Sequence, residues 1–473
     1  MSKNSAIFNE KKIVSGAPEG MDAYFLIKKV KENGGLIVHI ARNDARALTL
    51  RKTIGFFDPS IKVIDFPAWD CIPYDLVSPN REISSIRVST LLALTKNQAD
   101  KTIIITTVNG ISQRVPSKKL IADSFLYIRI GHSLERDSFI KSLIDLGYQN
   151  VQTVTEKGEF TVRGGLVDIY SPDNINPVRL DFFGNQVDRI RFFNPETQMS
   201  QGLVNEVLIS PVSEFYLNET HIKQFRQNYR KTFGVSGLND PLYEAVSSGR
   251  PQLGFEHWGA LFYKKMETLL DYFPKTTLLT VDYRADEEML RRWKEVNDYF
   301  KSRTEDRSIN AKYKSKYKPL NPSALYVASD EWYDLTHKRE VLQFNPMKLP
   351  TGLNSVTLNG IAGRDFAPER QSQKETLFEN LIEHIRKIIE NRPVLIACYS
   401  KSSRERLATI LSDNGYEKHR HLADYGELAN FRHYVGLIIL PVERGFDSKT
   451  LAVISERDIL GDRVVRSNLK KRK

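Results

Sequence analysis

Ser15-Gly16-Ala17-Pro18-Glu19-Gly20-Met21-Asp22 is a loop of small residues between a short strand end, Ile13-Val14, and an amphipathic helix from Tyr24 to Glu32. A strand, a glycine-bearing turn and a helix start form the place where nucleotide-binding proteins cradle phosphate. The backbone N–H groups of the turn and of the helix N-terminus all face one anion there. That chemistry also needs a lysine on the outer phosphates and a Ser or Thr hydroxyl on magnesium. With Gly20 aligned to the last glycine of the pattern, Met21 takes the lysine position and Asp22 the hydroxyl position. A thioether carries no charge, and a carboxylate repels phosphate. The outline of an ATPase is present without its chemistry.

Outward from this loop the chain alternates strands and helices. Residues 36–41 (LIVHIA) read as a buried strand, 44–54 as a helix capped by Asn43 or Asp44, and 61–66 (IKVIDF) as the next strand. Pro67 and Pro73 break that strand, a helix follows over 83–94, and 102–107 (TIIITT) is another buried strand. This order predicts a parallel sheet covered on both faces by helices. Beyond 117 the pattern changes to a helix over 133–146 and short alternating strands over 160–162, 166–170, 178–183 and 187–193. Gly164-Gly165, Ser171-Pro172-Asp173 and Gly184-Asn185 separate them, which predicts a small antiparallel α+β unit inserted into the first. Helices return over 211–329 with a strand at 278–281, residues 345–373 read as a connector, and 375–460 as a last α/β unit.

A chain of 473 residues exceeds one ordinary core, so several units are expected. No run of about 18 apolar residues occurs, so no membrane partner is expected. The first residues lack the apolar stretch of a secretory signal. Cys71 and Cys398 stand far apart without nearby Cys or His clusters, so no metal site or disulfide framework is expected. Both read as small buried apolar residues rather than nucleophiles, which fits a cytoplasmic, reducing setting. The net charge of +11 points to nucleic acid or an acidic protein surface, but it is spread along the chain. Lys312, Lys314, Lys316 and Lys318 alternate with Tyr313 and Tyr317. That stretch reads first as a solvated edge or linker, with phosphate contact and base stacking as the alternative. Lys470-Lys471-Arg472-Lys473 reads as the start of a charged linker, and Asp286-Glu287-Glu288 as a solvated helix start.

Three segments in order resemble a known family. Phe66-Pro-Ala-Trp-Asp-Cys-Ile-Pro-Tyr-Asp75 with Ser78-Pro79 is similar to the first-domain signature of the bacterial transcription-repair coupling factors (Mfd). Gly158-Glu-Phe-Thr-Val-Arg-Gly-Gly-Leu-Val-Asp168, followed by Val178-Arg-Leu-Asp-Phe-Phe183, resembles the interaction domain that those factors share with the excinuclease protein UvrB. Leu269-Leu-Asp-Tyr-Phe-Pro274 leading into Leu278-Leu-Thr-Val-Asp282 resembles the UvrB segment that ends in its Walker B motif. The resemblance implies an α/β fold: a degenerate helicase- or RecA-like parallel-sheet domain, interrupted by a small α+β UvrB-interaction-type domain and followed by a small C-terminal α/β domain. The implied boundaries are 1–116, 117–210, 211–340, a connector at 341–374, a third domain at 375–465 and a basic linker from 466 to 473.

The family resemblance also sets the functional expectations. Asp282 stands where the magnesium-organising Asp would be, and Tyr283 replaces the Glu that polarises water. Asp282 is then either a leftover metal ligand or a strand-end turn carboxylate. Gly20, Met21, Asp22, Asp282 and Tyr283 together mark a degenerate nucleotide site, so no cofactor is expected here. ATP and magnesium would act only in the family's motor domain. The inserted domain is implied to bind the excinuclease protein UvrA through Arg163, Arg179 and Phe183. Of Phe182 and Phe183, alternation sends one to the core and the other outward, and the resemblance selects Phe183 as the exposed one. By residue chemistry alone both arginines could instead pair with Asp168, Asp181 and Asp188 and merely close the sheet. DNA is a further partner expectation, with Arg364 and Arg370 as added contacts that no motif supports. RNA polymerase would be met only through a domain expected to lie outside these residues. The expected function is recruitment in transcription-coupled nucleotide excision repair, without catalysis. An active UvrB-like ATPase and damaged-DNA helicase, or a nonspecific basic DNA-binding protein, are the alternatives.

Overall fold

The computed structural model describes residues 11–96, 101–234, 240–305, 318–350, 354–372, 374–430 and 433–461. The basic stretches at 312–317 and 470–473 lie outside these residues. Seven parallel strands form the main sheet, in the order Ser355–Thr357, Lys12–Ser15, Val341–Asn345, Leu278–Val281, Leu36–Ala41, Thr102–Thr107 and Lys62–Phe66. Helices cover both faces of the inner strands. That is why Leu36–Ala41 and Thr102–Thr107 read as nearly unbroken apolar or β-branched runs.

Helix α1 spans Met21–Asn33 and closes at Gly34, whose φ of 60° suits the left-handed cap. Met21 and Asp22 therefore lie in its first turn, earlier than the apolar pattern predicts. Helix α2 spans Asp44–Phe57 and is capped by Asn43, whose side chain accepts the Arg46 N–H. It runs past the expected end at 54 because Phe56 and Phe57 pack edge-on against Tyr425 of the last unit. Helix α3 spans Arg81–Thr95, with Asn80 as its cap.

The expected connector at 341–374 needs correction. Val341–Asn345 is an inner strand of the main sheet, and Ser355–Thr357 is its edge. Val341, Leu342 and Phe344 are buried. Its sequence, VLQFN, mixes Gln343 and Asn345 into the apolar residues, so it writes neither a continuous run nor a clean alternation. The last unit also starts earlier than 375. Ile361–Ala362 joins its six-stranded sheet, and Phe366 is fully buried in its core. That unit is not a separate bead. Phe25, Leu26, Ile54 and Phe57 share one apolar cluster with Leu395, Ile438, Leu440 and Phe446.

The inserted unit carries a six-stranded sheet, Ser200–Val204, Gln186–Phe193, Val178–Phe183, Leu166–Ile169, Glu159–Arg163 and Gln149–Asn150. It is antiparallel except for the short Gln149–Asn150 pairing. Helix α4, Arg136–Asp145, packs Phe139 and Leu143 against Leu180 and Ile190 on one face. It starts three residues later than expected, because Ser133 bridges to Gln186 and Glu135 caps the first turn. The Leu126–Arg129 and Glu206–Ile209 pair, and the Ser200–Val204 edge, were not expected from the sequence.

A buried ion pair ties the returning chain to the first unit. Arg87 on α3 donates Nε to Glu214 Oε2 at 2.6 Å and Nη2 to Glu214 Oε1 at 3.0 Å. Its Nη1 reaches the Pro67 carbonyl and Gln113 Oε1, and its plane lies 4.2 Å from the Phe66 ring centre. Trp69 Nε1 donates to the same Glu214. The Phe66–Asp75 signature is thus a structural segment, built around a guanidinium that no water reaches.

Candidate functional site

The phosphate loop is the first candidate, and its residues do not fit a nucleotide. Asp22 is buried, and its Oδ1 accepts the backbone N–H groups of Gly20 at 3.0 Å and Ala23 at 2.8 Å. Those donors at the helix start are the ones a phosphate would use. The carboxylate has taken the anion's place within its own loop. Arg46 closes on Asp22 from α2, and its Nε lies 3.6 Å from Asp282 and 3.9 Å from Glu19. Met21 packs at the edge of the apolar core, and a Cβ at Gly360 would meet its sulfur at 2.3 Å. The chain crosses the loop there, with Leu358 N–H on the Ser15 carbonyl and Gly360 N–H on the Gly16 carbonyl. From the last unit, Phe446 abuts Gly20, whose φ is 97° and whose missing Cβ would lie 2.9 Å from the ring. Beside the loop a cavity of about 290 Å³ remains, lined among others by Glu19, Arg42, Tyr283, Glu443 and Arg457. The site lacks a lysine for phosphate, a hydroxyl for magnesium and a carboxylate at 283 for water.

Asp282 is neither a free metal ligand nor a simple turn residue. Burial would raise its carboxyl, but the Arg46 guanidinium, His39 and the Arg42 N–H hold it down at about 2. Because this lies below the ordinary 3.8, ionised Asp282 stabilises the fold above about pH 4 and loses that contribution as pH falls towards 2. The effect amounts to about 2–3 kcal/mol. Urea unfolding of the native chain and of Asp282→Asn should therefore differ most near neutral pH and converge on acidification. A gap that stays constant from pH 6 to pH 2.5 would remove this carboxylate from the acid response.

The second candidate is the outer face of the inserted sheet. In Val178–Phe183, Val178 and Leu180 point into the core, and Phe182 packs towards Phe139 with ring centres 6.2 Å apart. Alternation puts Arg179, Asp181 and Phe183 on the opposite face. Phe183 is 82% exposed, as the resemblance implied. Arg163 sits at the neighbouring hairpin, where Gly164 adopts φ 59° and its carbonyl accepts Arg136 Nη1. Its side chain is 50% exposed and donates Nη2 to Asp168 at 2.7 Å. Arg179 is 14% exposed, donates Nε and Nη2 to the same Asp168 at 2.7 and 2.9 Å, and lies over the Phe193 ring. That carboxylate raises the Arg179 guanidinium above its usual range. Arg191 and Asp181 form a second pair on this face. The structure therefore brings Arg163 and Arg179 together on one carboxylate and leaves Phe183 and half of Arg163 open. Pairing with a local acid and an accessible face coexist.

Pairing of both arginines with Asp168 is one of the readings the residues offer, and the strand register singles out that carboxylate. A two-residue turn pairs Arg163 with Leu166, which sets Thr161 opposite Asp168, and Asp168 opposite Arg179. Other charged candidates are engaged within the fold. Arg370 donates to the carbonyls of Asp458 and Ile459, Arg364 pairs with Glu369, and Asp286 holds Lys11 and Trp332 Nε1. Lys318 lies over the Tyr229 and Phe233 rings. Burial, with Glu256 and Asp70 beside it, pushes the Cys71 thiol up to about 12, so His257 at 3.8 Å faces a protonated sulfur. Among the described residues no group of three or more His, Cys, Asp and Glu is placed to hold a metal ion. No helix among them is long and apolar enough to cross a membrane.

Residues 126–215 match the UvrB interaction domain family. Over most of its length the chain is similar to proteins named transcription-repair-coupling factor. The one from Rickettsia bellii is 30% identical over 96% of this chain and 39% of its own length. The Haemophilus influenzae protein is 29% identical over 98% of the chain and 39% of its length, and the Escherichia coli protein 30% over 93% and 37%. The chain thus spans about two fifths of the length of the curated relatives it matches.

Proposed function

We propose that this chain, a relative of the transcription-repair-coupling factors with a UvrB-type interaction domain at 126–215, is a docking module that recruits UvrA in transcription-coupled nucleotide excision repair. The observation that carries the reading is the open outer face of that domain. A largely exposed phenylalanine and a half-exposed arginine stand at neighbouring hairpin tips of that face, on a sheet whose other face is buried. Aromatic and Arg side chains are the usual anchors of protein interfaces, one filling an apolar pocket and the other binding carboxylate. The module works without ATP hydrolysis, because Asp22 fills its own anion site and the last unit closes over it. ATP-driven translocation and contact with RNA polymerase are not assigned to these residues.

Capture of purified UvrA by the immobilised chain tests the docking reading, and failure to capture it at micromolar concentration would overturn it. Arg179→Glu is a poor negative control. It would set a second carboxylate against buried Asp168 and damage the sheet, so lost binding would not report on the interface. For the nucleotide site, calorimetric titration with magnesium-ATP should give no saturable heat, and incubation should give no phosphate release above the buffer rate. Turnover by the chain alone would instead favour the UvrB-like ATPase.

A further inference from the structure

We infer that Asp168 is a positioning residue of the docking face: it fixes the direction of Arg163 and thereby sets where the partner's carboxylate must lie. This rests on the docking reading above. Asp168 sits mid-strand, is 1% exposed, and accepts hydrogen bonds from the strands on both sides. Its two guanidinium partners are held differently. Arg179 uses Nε and Nη2 on Asp168, turns Nη1 to Ser200 Oγ at 3.3 Å and stacks on Phe193. It has little left to offer a partner, and its part is to neutralise and shield Asp168. Arg163 gives Asp168 one nitrogen and keeps half its surface in solvent, at the hairpin tip beside the one that carries Phe183.

The chemistry of the partner follows. Two guanidiniums on one carboxylate leave one net positive charge, and it is presented by Arg163. The complementary surface is a carboxylate next to an apolar pocket for the Phe183 ring. Fixing Arg163 in advance removes part of the ordering cost that a long side chain meets on binding. Removing the Asp168 charge leaves two like charges side by side, so Arg163 swings away from the position the partner reads.

The test is UvrA affinity of the full chain carrying Asp168→Asn, Arg163→Ala, Phe183→Ala, and the two doubles with Asp168→Asn, with thermal unfolding of each. Asparagine keeps the shape and one acceptor. The expected result is a loss of about tenfold or more for Asp168→Asn, the range of a charge-assisted hydrogen bond. In that background Arg163→Ala should cost little more, while Phe183→Ala keeps its full effect. Wild-type affinity for Asp168→Asn would overturn the inference and leave the docking reading standing. Loss of the Phe183 effect in the Asp168→Asn background would mean local collapse of the sheet, and would also overturn it. No binding by the unaltered chain would remove the docking reading itself, and the inference with it.

Discussion

Replacing Arg87 by alanine is expected to destabilise the parallel-sheet unit by about 3–5 kcal/mol, the cost of leaving a buried charge without its partner. Glu214 is the group left behind. It is almost wholly enclosed, and in the native chain it takes both ends of the Arg87 fork and the Trp69 indole N–H. The same substitution takes the Arg87 donor from the Pro67 carbonyl, leaves Gln113 Oε1 with the Trp69 backbone N–H alone, and opens a void against Phe66 and Trp69. Urea unfolding followed by tryptophan emission reads the event directly, because Trp69 belongs to the network. A control separates charge from packing. Arg87→Met with Glu214→Leu removes both charges and should recover much of the loss, since two apolar groups avoid the desolvation of two ions. If Arg87→Ala alone shifts stability by less than about 1 kcal/mol, water must reach this site and the buried pair does not organise the unit.

Replacing Phe183 by alanine is expected to weaken UvrA binding by about 30-fold or more while leaving the fold unchanged. A ring that is 82% exposed contributes little to the core, so thermal unfolding of the variant should match the native chain. At an interface the same ring is a large, well-exposed apolar group on the charged face, and truncating such an anchor costs about 2 kcal/mol or more. Phe182→Ala is the mirror experiment. That ring packs with Phe139 against the inner core, so its removal should lower stability and affect binding only as the domain loosens. Equal binding by the native chain and Phe183→Ala would move the docking surface away from this face.

The departures from the phosphate-loop pattern were legible at the level of residue identity, since Met21, Asp22 and Tyr283 stand where that pattern has groups with fixed chemical duties. What fills the site was not legible. Arg46 lies on a different helix, and its approach to Asp22 and Asp282 depends on how α2 packs beside the loop. The strands at 36–41, 102–107, 178–183 and 278–281 were legible because burial on a sheet writes either a continuous apolar run or an alternation into the chain. Val341–Asn345 was not, because VLQFN shows neither a continuous apolar run nor a regular alternation. Phe183 was placed outward correctly, but alternation alone gives two opposite faces and does not say which one meets solvent.

By itself the sequence determined which groups of a phosphate loop are replaced, and the residue types the chain can offer to a partner. Both follow from functional groups that stay with their residues whatever the fold. Only the tertiary structure decided that Asp22 occupies its own anion site, that the last unit closes over that loop, and that one buried carboxylate holds Arg163 and Arg179 together. Each of these is a meeting of side chains brought together by chain reversal or sheet register. Burial, which makes such meetings strong, is a property of the packed assembly and of no single segment.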